Sequence, residues 1–314
     1  MRRLFVILCA CALLLSFGCR QQSVSSAVDY CCDTVVTLRA YAPQETVDEA
    51  MRLIRDYERV LSKTVEGSDI ERLNRAEGQP VYVNPETAEL LALCIEVSER
   101  SGGAFDATIA PLSELWNFQM DDPALPDASM LASAAVSVDW RNIELDGTTV
   151  TLKNGARIDL GGIAKGYIAD RVAAYLKAQG VEHACINMGG NVLVFGGKPD
   201  GSDWTIGIRD PNGAADQSEE VLALADGAVV TSGTYERGFD LDGVRYHHIL
   251  NPKTGMPVQN GLASVTILTE SSAVADALST ACFVLGPDGS AELLTSCNAR
   301  AIFLFSDGTR IALP

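Results

Sequence analysis

The chain has 314 residues, of which 47% are hydrophobic and 21% charged, so it can bury a core in one large domain or two modest ones. Its formal net charge of -17 argues against a nucleic-acid-binding protein, because neutralising phosphates requires a basic surface. A small anionic ligand remains compatible with this charge, since a few local groups and a metal ion can hold it.

The N-terminal segment has the pattern of an export signal. Arg2 and Arg3 precede an apolar run over residues 4–17, which is too short for a comfortable membrane span. Gly18 and Cys19 follow the run, and this order resembles a bacterial lipoprotein signal in which Cys19 becomes the lipidated first residue. An ordinary cleaved secretory signal, with Cys19 incidental, is the alternative.

The export signal sets the expected domain organisation. We predict a signal peptide over residues 1–18, a polar tether over residues 19–30 and a single domain over residues 31–314. Lipidation of Cys19 would make the protein a bacterial membrane lipoprotein, held by its lipid anchor and facing the periplasm or the cell exterior.

The mature chain would keep six further cysteines without a recognisable pattern. They form no C-x-x-C pair and no Cys/His spacing typical of a zinc site. Cys94, Cys185 and Cys282 lie in apolar surroundings, which is typical of small core residues. We therefore expect few disulfides or none.

Along the domain, apolar periodicity and turn residues predict strands and helices in mixed order. Strands are predicted over residues 34–41, 185–188, 192–195, 204–208, 228–232, 246–250 and 264–268, with hairpins over 143–158 and around 306–308. Helices are predicted over residues 44–62, 85–101 and 287–297, before Gly180 and around Asp276. Because the order shows no regular βαβ alternation, the sequence favours an α+β fold, with mixed or antiparallel sheets and flanking helices, over a doubly wound α/β fold.

The helix around Asp276 is small and apolar, yet it carries one acid and one hydroxyl four residues apart, Asp276 and Thr280. Residues at this spacing lie on the same helix face. A buried carboxylate is costly unless it is paired or bound to a metal ion, and a carboxylate with a hydroxyl is a hard-oxygen pair that suits Mg²⁺. Considered alone, the two residues favour the alternative, a helix start with a salt-bridged Asp276.

A second candidate site is the segment from Asp159 to Gly166, in which a strand end, a glycine pair and a helix start follow one another. Backbone N–H groups and the positive end of the helix dipole could hold a phosphate there, and Lys165 adds a charge. The spacing fits neither a Rossmann nor a P-loop motif. A tight turn with close helix packing explains the segment equally well.

Three other segments carry polar chemistry. His247 and His248 are adjacent, so in a strand only one of them can face a site, and a solvated pair near a turn is the alternative. Residues 231–237 are predicted as a hydroxyl-rich loop that could contact a phosphate or cap a helix. Residues 103–106 could offer backbone groups and an aromatic ring to a planar ligand, or could serve packing alone.

Taken in order, these segments resemble the motifs of one family. DLGGIAKGY at 159–167, NMGGN at 187–191, TSGTY at 231–235, HILNPKTG at 248–255 and DALST at 276–280, with GAFD at 103–106 upstream, are similar to motifs of the FAD:protein FMN transferases, the ApbE-type flavin transferases. The resemblance covers the chain from about Thr34 to its end, and members of the family are commonly lipoproteins. One departure is Cys32, which stands close to where members often carry Met.

The resemblance implies an α+β flavin transferase fold and a reaction that depends on Mg²⁺, or alternatively Mn²⁺. FAD would be the substrate, with its pyrophosphate at the metal ion, and FMN would pass to a Thr or Ser hydroxyl of an acceptor flavoprotein, such as a redox-pump subunit, with release of AMP. The implied metal ligands are Asp276, Thr280 and the backbone carbonyl of Ala164. The implied flavin and nucleotide contacts are Ala104, Phe105, Asp106, Gly161, Gly162, Lys165, Tyr167, His248 and Ile249.

Within this expectation, Asp276 and His248 are the predicted catalytic residues. The acceptor hydroxyl is a weak nucleophile, so a base within hydrogen-bond reach is useful, and His248 is predicted to be that base. Binding of the ribityl chain or a phosphate without proton transfer is the rival role of His248. Two other functions stay open: an FAD pyrophosphatase that gives FMN and AMP, and a non-catalytic FAD-binding lipoprotein.

Overall fold

The structure is a computed structural model that describes residues 23–116, 118, 124–214 and 217–314. The strands in this part of the chain are β1 Ser25–Cys31, β2 Thr34–Ala40, β3 Val81–Tyr82, β4 Ile143–Asp146, β5 Thr149–Leu152, β6 Ala184–Met188, β7 Asn191–Phe195, β8 Trp204–Arg209, β9 Ser218–Leu224, β10 Gly227–Gly233, β11 Gly238–Leu241, β12 Val244–His247, β13 Leu262–Thr269, β14 Arg300–Phe305 and β15 Arg310–Leu313. The predicted signal peptide over residues 1–18 and the lipidation site Cys19 lie outside the described residues.

The helices of the described chain surround these strands. They are α1 Gln44–Leu61, α2 Asp69–Arg75, α3 Pro85–Arg100, α4 Ala110–Trp116, α5 Ala128–Ala135, α6 Ala164–Ala178 and α7 Ser272–Ser296, with one 3₁₀ turn over Trp140–Asn142. Helix α7 contains non-helical Gly286 (φ 70°, ψ 176°), directly followed by Pro287. The predicted helices around Asp276 and over 287–297 are therefore the two parts of one kinked element, because proline cannot continue the hydrogen-bond ladder.

Eight of the strands form one antiparallel sheet in the order β1-β2-β6-β7-β10-β13-β14-β15. Side chains alternate across it, so both faces bury apolar residues. Leu193 and Phe195 of β7 pack into the main core with α6 and α7, whereas Val192 and Val194 pack into a second core beneath the β8–β9 hairpin. The central strands read as continuous apolar runs for this reason.

Two smaller units complete the fold. Strands β3, β5 and β4 form a three-stranded sheet, and β11 pairs with β12. A third cluster of apolar side chains lies between α4, α5 and the β11–β12 hairpin, and it contains Leu112, Trp116, Leu131, Phe239 and Leu250. The mixed order of elements and the antiparallel pairing confirm the predicted α+β class.

The predicted tether over 19–30 is wrong from Ser25 onward. Strand β1 pairs with β2 over its full length, from Ser25 opposite Ala40 to Cys31 opposite Thr34. It is an edge strand with one exposed face, so half of its positions stay polar or exposed, and its composition resembles that of a linker. Residues 19–22 lie outside the described chain.

The cysteines agree with the expectation of few disulfides, because the six in the described chain are all free. Cys94 and Cys282 are fully buried as predicted, whereas Cys185 is only half-buried on strand β6. Among the described residues, no helix combines the length and the apolar character needed to cross a membrane.

Candidate active site

Asp276 lies on α7 and is 4% exposed. Its Oδ2 accepts a hydrogen bond of 2.9 Å from the backbone N–H of Gly166 in α6, and its Oδ1 lies 3.9 Å from Nζ of Lys165. The carboxylate is therefore buried against the first turn of another helix, where the helix dipole favours a negative charge. The structure thus joins two segments, 159–166 and 276–280, that sequence reasoning treated as separate candidates.

The approach of α6 to α7 depends on the missing side chain of Gly166. A Cβ at this position would lie 2.1 Å from the backbone oxygen of Ser272, a distance at which the helices must separate. Asp170, one turn further along α6, accepts hydrogen bonds from Ser271 Oγ at 2.8 Å and from the N–H groups of Ser272 and Ala273 at 2.9 Å. Asp170 thus caps the start of α7 and fixes the position of the helix that carries Asp276.

Gly166→Ala is expected to lower the free energy of unfolding by about 2–3 kcal/mol or more, because the added methyl group collides with backbone that cannot rotate away. Equilibrium denaturation in urea measures the change. Gly67→Ala is the control, since Gly67 has φ +79° but no atom within 4 Å of the added carbon. It isolates backbone strain, about 1 kcal/mol. Equal losses in the two variants would contradict the close packing of α6 on α7.

Thr280 meets the glycine pair of the same turn. A Cβ at Gly162 would lie 3.3 Å from Thr280 Oγ1 and 3.4 Å from Phe105 Cε2. The hydroxyl predicted as a metal ligand, the glycine turn and the aromatic ring of residues 103–106 therefore converge at one point. Lys165 bends back over this turn, with Nζ donating to the carbonyl of Gly161 at 3.1 Å.

Asp106, predicted as a ligand contact, is bonded within the protein. It is 7% exposed, its Oδ1 accepts hydrogen bonds from Thr108 N–H (2.8 Å) and Oγ–H (2.6 Å), and its Oδ2 accepts from Trp140 N–H at 2.9 Å. Burial raises the pKa of Asp106, against the lowering effect of these donors. Asp106 is thus a positioning residue for Ala104 and Phe105, and both of its carboxylate oxygens are already engaged.

Asp159, the first residue of the glycine motif, is held by residues that the sequence did not indicate. Its Oδ2 lies 2.7 Å from Lys63 Nζ and accepts a hydrogen bond from Ser113 Oγ at 2.8 Å, and its Oδ1 accepts the N–H of Gly161 at 2.9 Å. Burial opposes ionisation, but Lys63 and these donors together hold the pKa of Asp159 below its usual value. The charged Asp159 therefore fixes the turn that leads into α6.

The two adjacent histidines face different environments, as strand alternation predicts. His247 is 2% exposed, its Nε2 lies 2.9 Å from the carbonyl of Val258, and its Nδ1 accepts the N–H of Ile249 at 3.3 Å. Its ring packs edge-on against Phe283, with centroids 5.6 Å apart. These bonds require the neutral Nε2–H tautomer of His247, and burial lowers the pKa of its imidazole. His247 is therefore a structural residue of the core.

His248 follows the end of β12 and is half-buried, so the strand predicted over 246–250 instead spans Val244–His247. Its N–H and its Nδ1 lie 3.1 and 3.3 Å from the carbonyl of Arg237. A carbonyl only accepts, so Nδ1 carries the proton and Nε2 keeps a lone pair. Burial, opposed by the bond to Arg237 and assisted by the nearby charges of Arg237 and Lys165, lowers the pKa of His248 to about 4. His248 is therefore a neutral imidazole with an acceptor nitrogen at neutral pH.

Arg237 connects this histidine to the hairpin formed by β1 and β2. Its guanidinium lies 3.6 Å from the carboxylate of Asp33 in the hairpin turn. Since the charges of Arg237 and Lys165 both act on His248, the two cations border the same region of the protein. A region with two cations favours an anionic ligand such as a phosphate.

The prediction of a hydroxyl-rich loop over 231–237 is partly wrong. Thr231 and Ser232 lie inside β10, where cross-strand pairing and neighbouring helices engage their hydroxyls. Thr231 Oγ1 lies 2.8 Å from Thr266 Oγ1, and Ser232 Oγ lies 2.7 Å from Ser279 Oγ. Ser279 Oγ also donates to the carbonyl of Asp276 at 2.7 Å, so the Ser232 hydroxyl packs against α7 while the Thr231 hydroxyl pairs across the sheet.

Two further predicted contacts, Tyr167 and Ile249, have partners within the protein. Tyr167 packs edge-on against Tyr57 and lines a cleft of about 410 Å³ with Glu89, Asp170 and Arg171, among others. Ile249 is 3% exposed, and its N–H and carbonyl both bond within the protein. A ligand contact by Tyr167 or Ile249 stays a prediction, and Ile249 has little surface to offer.

The donor set at this point fits a hard divalent cation. The carboxylate of Asp276 and the hydroxyl of Thr280 lie on α7 at this point, and the third predicted ligand is the carbonyl of Ala164, the first residue of α6. The side chain of Asp276 is nearly inaccessible, its carboxylate accepts one hydrogen bond from the described residues, and Nζ of Lys165 stands 3.9 Å from its other oxygen. A buried carboxylate with one oxygen facing only a cation, next to a hydroxyl, suits Mg²⁺ or Mn²⁺.

Known proteins are similar to this chain in sequence and in fold. The family described as the ApbE family matches residues 32–303. The FAD:protein FMN transferase of Treponema pallidum (strain Nichols) is 37% identical over 279 residues, covering 83% of this chain and 77% of that protein. The FAD:protein FMN transferase of Klebsiella pneumoniae (strain 342) is 37% identical over 275 residues, covering 86% and 85%.

Solved structures agree with these sequence relatives. The ApbE protein from Thermotoga maritima superposes with a TM-score of 0.86 at 34% identity, covering 93% of this chain and 97% of that one. The flavinyl transferase ApbE of Pseudomonas stutzeri, in its apo form, superposes with a TM-score of 0.83 at 30% identity, covering 93% and 95%. The fold and the site therefore define a flavin transferase. The chain belongs to the ApbE family, and the resemblance inferred from its motifs is confirmed.

Proposed function

We propose that the protein is a Mg²⁺-dependent FAD:protein FMN transferase that moves FMN from FAD onto a Thr or Ser hydroxyl of an acceptor flavoprotein and releases AMP. One observation carries the proposal: the oxygen donors of Asp276 and Thr280 meet the glycine turn at the start of α6. The relatives named above are FAD:protein FMN transferases, and their match extends over most of this chain.

In this reaction, different residues of the chain would take the proton and hold the phosphates. The acceptor oxygen forms a bond to the phosphorus of the FMN half, and the bond from that phosphorus to the oxygen bridging to AMP breaks. Nε2 of His248 takes the hydroxyl proton, because it is the ring nitrogen with an available lone pair. Lys165 and Arg237 hold the phosphates by charge, and the start of α6 offers the positive end of its dipole.

Asp276, Thr280 and the carbonyl of Ala164 would hold the metal ion. When bound, Mg²⁺ supplies positive charge that neutralises the pyrophosphate and stabilises the leaving AMP. Asp276 would bind the metal ion through its carboxylate, which the N–H of Gly166 and Nζ of Lys165 flank in the structure.

Transfer must be distinguished from hydrolysis of FAD by the same site. The protein is incubated with FAD and Mg²⁺, with and without an acceptor flavoprotein, and AMP is quantified over time. A transferase releases AMP in proportion to the acceptor supplied. A hydrolase releases it at the same rate without acceptor, and that result would overturn the proposed transfer.

We further propose that the protein acts as a membrane lipoprotein facing the periplasm or the cell exterior, anchored through Cys19. Cys19→Ala is expected to move the protein from the membrane fraction to the soluble fraction and to leave its melting temperature unchanged, because residue 19 precedes the first strand. Fractionation and mass spectrometry of the mature N-terminus measure this. A wild-type protein that is soluble, with an N-terminus elsewhere, would contradict the anchor.

A further inference from the structure

The turn of the β1–β2 hairpin carries metal-ligating side chains to which the transfer reaction proposed above assigns no role. The Sγ atoms of Cys31 and Cys32 and a carboxylate oxygen of Glu58 all lie within 4.8 Å of one another. Within residues 23–116, 118, 124–214 and 217–314, this is the one group of three or more His, Cys, Asp or Glu side chains so arranged. We call it the dithiol cluster.

The turn explains why two consecutive thiols lie together. In a regular strand, neighbouring side chains point to opposite faces of the sheet. Cys31 ends β1, and Cys32 and Asp33 form a two-residue turn with φ of +53° and +56°, the conformation typical of a type I′ hairpin. Left-handed backbone is uncommon for cysteine, and here it rotates the Cys32 thiol to the side of Cys31 and Glu58.

Glu58 is fixed by the same turn. It lies on the last turns of α1, and its Oε1 accepts the N–H of Cys32 at 2.7 Å. This bond sets the orientation of the carboxylate and leaves Oε2 for a ligand. One donor thus comes from the strand, one from the turn and one from a helix, which is a preorganised arrangement held by elements of the fold.

The donors select a class of cation. Two thiols and one carboxylate form an S₂O set, which suits borderline-soft Zn²⁺, whereas Mg²⁺ and Mn²⁺ prefer oxygen donors alone. Three protein ligands leave a fourth position for water. We propose that Cys31, Cys32 and Glu58 form a binding site for a thiophilic divalent cation of the Zn²⁺ class, separate from the oxygen-donor site at Asp276 and Thr280.

Binding at the dithiol cluster needs no oxidant or reductant. The two thiols release their protons to solvent as the two sulfur–metal bonds form, and the carboxylate binds as it is. The bound ion would fix the turn that carries Asp33, whose carboxylate pairs with Arg237 at 3.6 Å. Through the contact of Asp33 with Arg237, the dithiol cluster at the edge of the sheet is connected to the segment that holds His248.

The test uses the full chain, reduced with a phosphine so that both thiols are available. Addition of Co²⁺ is expected to produce a near-ultraviolet thiolate-to-cobalt charge-transfer band, and Zn²⁺ is expected to abolish the band by displacement. Cys32→Ser, at a half-buried position, is expected to lose the band and to weaken Zn²⁺ affinity by on the order of 10²-fold or more in competition with a chromogenic chelator. Glu58→Gln is expected to keep the band and to weaken affinity.

Two controls make the result specific. Cys297→Ser removes another half-buried thiol outside the cluster and is expected to leave the band and the affinity unchanged. Asp276→Asn is expected to do the same, because its ligands are oxygens of a different site. The wild-type spectrum tests the proposal without any variant, so misfolding of a variant does not decide it. A wild-type protein without the band, or a Cys32→Ser protein that keeps it, would overturn the dithiol cluster as a metal site.

Discussion

Asp276→Asn is expected to lower the rate of FMN transfer by on the order of 10³-fold or more. The proposed metal ion would be lost, and such an ion supplies several kcal/mol of charge stabilisation, at about 1.4 kcal/mol per factor of ten. Asparagine keeps an oxygen that can accept the N–H of Gly166, so the start of α6 remains satisfied. Stability should therefore stay close to that of the wild type, as thermal unfolding would show.

The comparison with Asp276→Ala separates the two roles of the carboxylate. Alanine removes the charge and also leaves the buried N–H of Gly166 without its acceptor, at a cost of about 1–3 kcal/mol. Treatment of the wild type with EDTA should reproduce the loss of activity without the loss of stability, and added Mg²⁺ or Mn²⁺ should restore it. An Asp276→Asn protein with full activity, or an EDTA-treated wild type that still transfers FMN, would contradict the metal site.

His248→Ala is expected to lower the transfer rate by on the order of 10²–10⁴-fold and to change FAD affinity only a few-fold. In the proposed mechanism, Nε2 of His248 takes the acceptor proton, while Lys165, Arg237 and the metal ion would hold the phosphates. His248→Gln keeps a hydrogen-bonding group but cannot take a proton, so it should be as slow as the alanine variant. Single-turnover kinetics over a range of FAD concentrations measures rate and affinity separately.

The pH dependence gives an independent test of His248. Burial lowers the pKa of the free imidazole to about 4, so the base form persists through neutral pH and kcat/KM should fall only as the pH drops through about 4. The bound pyrophosphate is negative and favours imidazolium, so the corresponding step in kcat should lie at higher pH. Both steps should be absent in His248→Gln. A step that survives the substitution, with a loss mainly in affinity, would make His248 a binding residue.

The structure changes the choice of control for this experiment. Sequence alternation alone makes His247→Ala a silent control, but His247 fills the core beside Phe283 and bonds to Val258 and Ile249. Its removal would leave a cavity and unpaired backbone groups. His183→Ala is the better control, since His183 contacts Gly196 and Tyr41 and should leave transfer unchanged.

Several features of the candidate site could be predicted from local patterns in the sequence. Asp276 and Thr280 share a helix face because of their spacing, and the alternation of His247 and His248 held even though the strand ends between them. These predictions need only the geometry of one helix or one strand. The fold class followed in the same way from the irregular order of strands and helices.

Contacts between distant segments could not be predicted in this way. Gly166 and Asp276 are separated by 110 residues, and Asp159 and Lys63 by 96, so neither bond leaves a local signal. The bond between Asp106 and Trp140 left no local signal either, because the two residues lie in different segments. The dithiol cluster was also missed, since Glu58 approaches two consecutive cysteines only after the hairpin and α1 have packed together.

The most direct test of the central claim is the mass of an exported acceptor flavoprotein after incubation with FAD, Mg²⁺ and this protein. We expect the acceptor to gain the mass of one FMN on a Thr or Ser residue, with one AMP released per adduct and no adduct when Asp276→Asn replaces the wild type. An acceptor that stays unmodified while FAD is consumed, or an adduct that forms equally well with Asp276→Asn, would contradict a transferase built on Asp276, Thr280 and His248.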